Sequence, residues 1–587
     1  MARKNKVESK ILQAARKLHL HDSTFTIILA ALIGFVGGYF AIGFRYLVDY
    51  VNKYLFFSIG VDHQYFKDWR IFLLLGIPVI GLLLVGLLTN KLGKEAKGHG
   101  VPEVISAVVR GGGIIRARIV FIKMIASALS IGSGGSVGRE GPIVQIGSAI
   151  GSVTGQFFKM SGGAVNVLVA CGAAAGISAT FNAPIAGALF ATEVILGGLE
   201  LTSMSPILVS SLVSASVARS YFGNEPAFIV PSYELASFWE LILYIGLGVF
   251  AGLVAVSFTK VLYKTEDIFE SLKIHWTFKA IIGGLLIGTA GIFSPEVLGV
   301  GYHVIELALN DPWLVSIHAF LLFCMLKILI TSITIGAGGS GGIFAPSLFM
   351  GAMIGGFFGM MVQSIPYFNV APPGAYALVG MSAVVAGVTH APIQAILILF
   401  EMTDNYKIIL PIMISCVISK MIAKKICHGS IYSMKLERRG EATETGKDIT
   451  VLETLTVKDV MYVNYKAIPP ETPFYEIVSL IRTSNFDTFP VINEDGVYFG
   501  LITFQEIRQT LQNEEMQRLL LANDILVKDP YLLTPDVDLL EVFNEMEMRE
   551  INCLPVVDKD DNRKLVGLVT RSALMARYRK EVLLERY

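Results

Sequence analysis

Between Lys327 and Glu401 the chain carries no Asp, Glu, Lys or Arg, and a second such interval runs from Lys159 to Glu193. A charge-free interval of the first length cannot cover a water-facing surface, whereas a bilayer span needs only about 20 apolar residues. Of 587 residues, 53% are hydrophobic and 16% charged, against about 25% charged in an ordinary soluble domain. The charge is also uneven. Up to residue 430 there are 29 Lys+Arg and 21 Asp+Glu; beyond it there are 19 and 27. A charge-poor basic body therefore precedes a charge-rich acidic tail. This pattern reads as a polytopic membrane protein with a soluble C-terminal module, and it excludes a soluble enzyme, a nucleic-acid binder and a secreted scaffold.

Candidate spans start near Thr26 and Ile71, then recur over 117–160, 164–220, 236–263, 277–293 and 315–424. The first twenty residues are basic and lack the apolar core of a cleavable signal. Lys420, Lys424, Lys425, Lys435, Arg438 and Arg439 close the body. By the positive-inside bias, both ends of the body face the cytoplasm of a cell (plasma or inner) membrane. Five cysteines without CxxC spacing imply neither a disulfide framework nor a metal site.

The body repeats itself. Gly132-Ser-Gly-Gly-Ser136-Val-Gly138-Arg-Glu-Gly-Pro142 matches Gly336-Ala-Gly-Gly-Ser340-Gly-Gly342-Ile-Phe-Ala-Pro346, 204 residues later. Asn182-Ala-Pro-Ile185, ending at Glu193, matches His390-Ala-Pro-Ile393, ending at Glu401, 208 residues later. Paired Gly/Pro-interrupted segments in two halves point to a transport site between internal repeats. The tail repeats too: Phe489-Pro-Val491 with Gly500-Leu-Ile-Thr503 recurs as Leu554-Pro-Val556 with Gly567-Leu-Val-Thr570. Each copy reads as a small α/β unit.

Three Gly/Pro-bounded sites carry the chemistry: Gly98-His99-Gly100-Val101-Pro102, Gly138-Arg139-Glu140-Gly141-Pro142 and Gly341-Gly-Ile343-Phe344-Ala-Pro346. In each, small residues lead to a Pro in the first turn of an apolar helix, a position Pro suits. The free N–H groups there, with the helix dipole, form an anion site without a full positive charge. Such a site can release what it holds, where a lysine would bind too tightly. Glu140 is singled out because a carboxylate inside an apolar segment is costly and functional by default. Ionised, it would occupy the anion's own position; protonated, it would leave. The alternative is a structural ion pair with Arg139. Glu193 and Glu401 read as capping or bridging backbone.

At these motifs the chain resembles the CLC family of chloride channels and chloride/proton antiporters, of the prokaryotic type with a C-terminal CBS domain pair. The resemblance implies an all-α polytopic membrane fold with inverted internal repeats, followed by an α/β CBS pair. Its segments would be a cytoplasmic 1–24, a transport domain 25–436, a linker 437–452 and CBS domains 453–516 and 517–583. It implies that Glu140 is the external gate. The backbone around Arg139–Gly141, at Gly100 and at Ile343 and Phe344 would coordinate the anion, with the Tyr432 hydroxyl as inner donor. It also implies a homodimer, its interface built partly from helices around 184–220 and 390–424. The partners would be chloride, other small anions, protons and membrane lipid, with no nucleic acid.

Two positions depart from the family pattern. His99 stands where many members place an anion-binding serine at the inner gate. An imidazole can donate one hydrogen bond when neutral and carries charge when protonated. Val194 follows Glu193 where antiporters place a second, proton-relaying glutamate, and valine cannot carry a proton. The sequence therefore leans toward a chloride channel influenced by voltage and pH and gated by Glu140. The alternative is a chloride/proton antiporter with an altered proton path. In the tail, a nucleotide-binding CBS pair places Asp three residues after Thr. Here Glu506 follows Thr503 and Ala573 follows Thr570, so an adenine nucleotide site and a purely structural tail both stay open. No cofactor is required. A divalent-cation transporter would need acidic or carbonyl-rich coordination in the membrane, which the charge-free intervals argue against, and no HExxH motif supports an enzyme.

Overall fold

A computed structural model describes residues 22–55, 71–365 and 370–441, except 111, 199, 200, 225, 232 and 234. In the tail it describes 455–483, 488–510, 519–527, 531–549 and 551–584. The basic segment 1–21 and the linker beyond 441 lie outside the described residues. The chain divides into two units, Met1–Thr443 and Glu444–Tyr587.

In the first unit, eight helices among the described residues are long and apolar enough to cross a membrane. They include Glu240–Ser271, Ile317–Gly336 and Phe344–Gln363, and shorter apolar helices such as Pro373–Thr389 and Pro392–Thr403 accompany them. The apolar stretch 315–424 is thus cut by Gly and Pro into separate helices. Breaks of this kind at membrane depth are tolerated where surrounding protein covers the backbone.

The two halves pack alike. Helix Glu140–Phe157 lies against Gly162–Phe181 through Gly147 and Gly172. A β-carbon on either glycine would collide with the other's carbonyl oxygen. Phe344–Gln363 meets Pro373–Thr389 through Gly351 and Gly380 in the same way. Small residues let the paired backbones approach this closely. Asn182 (φ 59°) and His390 (φ 58°) then end equivalent helices in the left-handed conformation. Each is followed by Ala-Pro, with Pro opening the next helix, Pro184–Phe190 or Pro392–Thr403.

Equivalent residues also bond across the halves. The Gly138 amide donates to the Gly342 carbonyl at 2.7 Å and the Gly342 amide to Gly138 at 2.6 Å, an antiparallel bridge between matched glycines. The Ser136 amide donates to Thr334 Oγ1 and the Ser340 amide to Ser130 Oγ, both at 3.3 Å. Antiparallel pairing of matched segments is the local signature of inverted repeats.

The second unit contains two antiparallel strand pairs with the same register. In one, β1 (Thr488–Ile492) pairs β2 (Tyr498–Thr503) with Pro490 opposite Leu501. In the other, β3 (Cys553–Val557) pairs β4 (Leu565–Thr570) with Pro555 opposite Leu568. Each has a register shift one step past its Pro-Val, and each is followed by a helix, Phe504–Thr510 or Arg571–Leu584.

Candidate functional site: three helix starts around a buried carboxylate

The three Gly/Pro segments converge. Helices begin at Val101, Glu140 and Phe344, and the loops before them are tied together. The Gly98 amide donates to Gly339 O at 3.1 Å, and the Gly341 amide to Gly98 O at 3.2 Å. A β-carbon on Gly141 would strike the His99 carbonyl and lie 3.0 Å from Gly342 Cα. Left-handed Gly98 (φ 77°) and Gly100 (φ 85°) permit the turn that brings His99 inward.

Glu140 sits in the first turn of its helix and is 1% exposed. Its Oε1 accepts a 2.9 Å hydrogen bond from the Tyr302 hydroxyl. Its Oε2 lies beside Gly138 and Ala345, at the start of the Phe344–Gln363 helix. The carboxylate therefore occupies the junction of two helix N-termini, where a halide would be favoured for the same electrostatic reason. Ile343 and Phe344 are buried at that junction, with the Phe344 ring 5.6 Å from Phe181.

His99 and Tyr432 lie side by side, with ring centroids 6.0 Å apart. Both are 3% exposed, and neither His99 ring nitrogen has a hydrogen-bond partner among the described residues. Tyr432 opens the Ile431–Arg438 helix, whose N-cap Ser430 accepts the Ser433 amide. The structure thus groups His99, Gly100, Arg139, Glu140, Gly141, Ile343, Phe344 and Tyr432 in one region of the first unit. Val194 lies in a π-helical turn, Ala191–Leu196, beside Glu193, whose Oε2 accepts the Gln394 amide at 2.8 Å.

Two cavities open near this line of residues. One, of about 300 Å³, is lined by Arg45, Arg139, Arg219, Tyr302, Glu306 and Phe228. The other, of about 220 Å³, adjoins Gly98 and is lined by Lys94, Lys97, Glu266, Lys435, Arg438 and Arg439. Both are net basic, so each would concentrate anions at its mouth.

Sequence reasoning missed Tyr302 and two buried lysines. Lys123 Nζ donates to Ala96 O (3.1 Å) and Gly98 O (2.8 Å). Lys327, 204 residues later, donates to Val297 O (3.0 Å) and Gly299 O (2.9 Å). Each lysine pins a Gly-x-Gly loop, 98–100 or 299–301, and each loop has both glycines left-handed. The signal was available: upstream of the repeat, at an offset of 201 instead of 204, Gly98-His99-Gly100 matches Gly299-Val300-Gly301.

In the tail, Glu506 Oε2 accepts the Thr503 amide at 2.9 Å and also its hydroxyl. Thr570 Oγ1 lies 3.1 Å from Ser572 Oγ and accepts the Ala573 amide. Thr570 thus caps the helix that follows it, while Glu506 reaches back from its helix to the end of the preceding strand.

Residues 81–424 match the voltage gated chloride channel family, and 457–513 and 522–580 match the CBS domain. An H(+)/Cl(-) exchange transporter, ClcA of Klebsiella pneumoniae, is 32% identical over 74% of this chain and 94% of its own. Chloride channel protein CLC-f of Arabidopsis thaliana is 28% identical over 95% of this chain and 81% of its own. Among solved structures, a slow cyanobacterial Cl-/H+ antiporter matches with TM-score 0.65 and 26% identity, covering 72% of this chain and 98% of that one. A eukaryotic CLC transporter matches with TM-score 0.62 and 20% identity over 93% of this chain and 97% of that one. The chain therefore belongs to the CLC family of anion-transport membrane proteins and carries a CBS domain pair in its tail.

Proposed function

We propose that this protein exchanges chloride, and other small anions, for protons across a cell membrane, with Glu140 as the proton-accepting gate. The observation that carries the reading is the Glu140 carboxylate at the junction of two helix N-termini. Ionised, it competes with the anion for the same N–H groups. Protonated, it loses that attraction and yields the place to chloride. One site then serves both ions, which is what coupling requires.

Exchange is supported by the burial of the Glu140 carboxylate, 1% exposed, in the same region as the buried His99–Tyr432 pair. The Klebsiella relative and the cyanobacterial structure, both named as chloride/proton exchangers, support the same choice. Val194 favours the second reading, a Glu140-gated channel, because valine carries no proton. In an exchanger, His99 supplies the inner proton contact instead, its ring nitrogens being without partners among the described residues.

In this reading Arg139, Gly141, Gly100, Ile343 and Phe344 present backbone donors to the anion, and the Tyr432 hydroxyl completes the inner side. A second copy packs on the helices around 184–220 and 390–424, where Leu212, Met413, Val417 and Met421 are exposed. The tail stabilises that dimer; Glu506 is engaged by Thr503 and Ala573 offers no carboxylate to a ribose. The test is proton movement in liposomes under a chloride gradient. Uphill proton transport supports exchange, and chloride flux without it supports the channel.

A further inference from the structure

Tyr302 has no chemical equivalent in the first half of the body. The loop matched to Gly299-Val300-Gly301-Tyr302 is Gly98-His99-Gly100-Val101, so a phenol stands where the other repeat has valine. Helix-end anion binding does not call for a phenol, yet this one is aimed at the gate. Its hydroxyl donates to Glu140 Oε1 at 2.9 Å.

The ring is held from several sides. Phe228 packs edge-on at 5.4 Å and 84°, and the Arg139 guanidinium lies 5.5 Å from the ring centroid. The preceding loop is fixed by left-handed Gly301 (φ 81°) and by the two carbonyl bonds of Lys327. The donor is therefore preorganised, and the carboxylate is the movable partner. A hydrogen bond to an ionised carboxylate is roughly twice as strong as one between neutral groups. The bond therefore favours the ionised form of Glu140 and opposes its release.

We infer that Tyr302 is a positioning residue for anion transport: a phenolic latch that holds the Glu140 carboxylate at the helix ends and sets the external pH at which it lets go. This rests on the reading of Glu140 as the gate. The other charged and titratable groups around Glu140 are Arg139 beside it, Arg45, Arg219 and Glu306 on the cavity wall, and Tyr432 and His99 on the inner side. Among these described groups, Tyr302 alone is seen to hydrogen-bond the carboxylate.

Tyr302→Phe keeps the ring and its packing and removes only the hydroxyl. Without the donor, the carboxylate takes up its proton more readily, so chloride flux activates at higher external pH. The midpoint in proteoliposomes should rise by about one pH unit, a tenfold change in proton affinity, with maximal flux retained. Replacing Tyr302 by fluorinated tyrosine, a stronger donor of the same shape, should move the midpoint the opposite way. A wild-type midpoint in both proteins overturns the latch. If Tyr302→Phe fails to fold, the fluorotyrosine protein decides alone, and an unmoved midpoint again overturns it. In Glu140→Gln, adding Tyr302→Phe should change nothing further. If Glu140→Gln itself keeps the wild-type pH profile, the gate reading fails rather than the latch.

Discussion

Glu193 and Glu401 cap each other's half of the molecule. Glu193 Oε2 accepts the Gln394 amide at 2.8 Å, while the two oxygens of Glu401 accept the amides of Ile185 and Ala186 at 3.0 and 2.7 Å. Each carboxylate thus closes the helix start that the other half's Ala-Pro turn opens, and its charge complements the positive end of that helix. Glu401→Ala removes the partner of two amides. It should cost roughly 1–3 kcal/mol of stability, read as a lowered unfolding temperature in detergent, with anion selectivity unchanged.

Lys123 places a buried cation one residue from His99 through its bond to the Gly98 carbonyl. It does not coordinate the anion in this reading; it adds positive potential and fixes the loop. Lys123→Met should weaken chloride affinity by about tenfold, equivalent to about 1.4 kcal/mol, measured by isothermal titration or by the chloride dependence of flux. Unchanged affinity would show that the lysine serves only the loop.

His99 gives the inner side a titratable group where serine would have none. Burial and the nearby Lys435, Lys123 and Arg439 hold its protonation well below the usual imidazole range, so only strong acidification of the cytoplasmic face should add a charge beside Tyr432 and slow anion release. His99→Ser should flatten this dependence while leaving the external pH profile in place. Flux recorded against pH on each face separately checks it.

Glu506 reaches back from the Phe504–Thr510 helix to Thr503. Glu506→Ala should destabilise the tail by about 1 kcal/mol without altering chloride flux. Equilibrium dialysis of the full protein with ATP, ADP and AMP should show no binding that depends on Glu506.

The fold and half of the site were legible because their signals are local. A Pro in a first helical turn, a glycine run and an Ala-Pro break mark helix starts wherever they occur, and the repeat confirmed each by a second copy. The family match carried Tyr432, which no local pattern marks. Tyr302, Lys123 and Lys327 were hidden for the opposite reason. Tyr302 meets a partner 162 residues away, and its own repeat counterpart, Val101, has diverged in chemistry. The lysines read as ends of charge-free intervals or as isolated charges, since the carbonyls that satisfy them lie in loops more than twenty residues upstream.

The central claim is that the Glu140 carboxylate stands in the place of a transported anion. Crystals of wild type and Glu140→Gln soaked in bromide, read by anomalous scattering, test it directly. The account predicts a bromide peak in Glu140→Gln between the starts of the Glu140–Phe157 and Phe344–Gln363 helices, where wild type holds the carboxylate. Bromide absent from that junction in Glu140→Gln, or bound there in wild type with the carboxylate unmoved beside it, would contradict it.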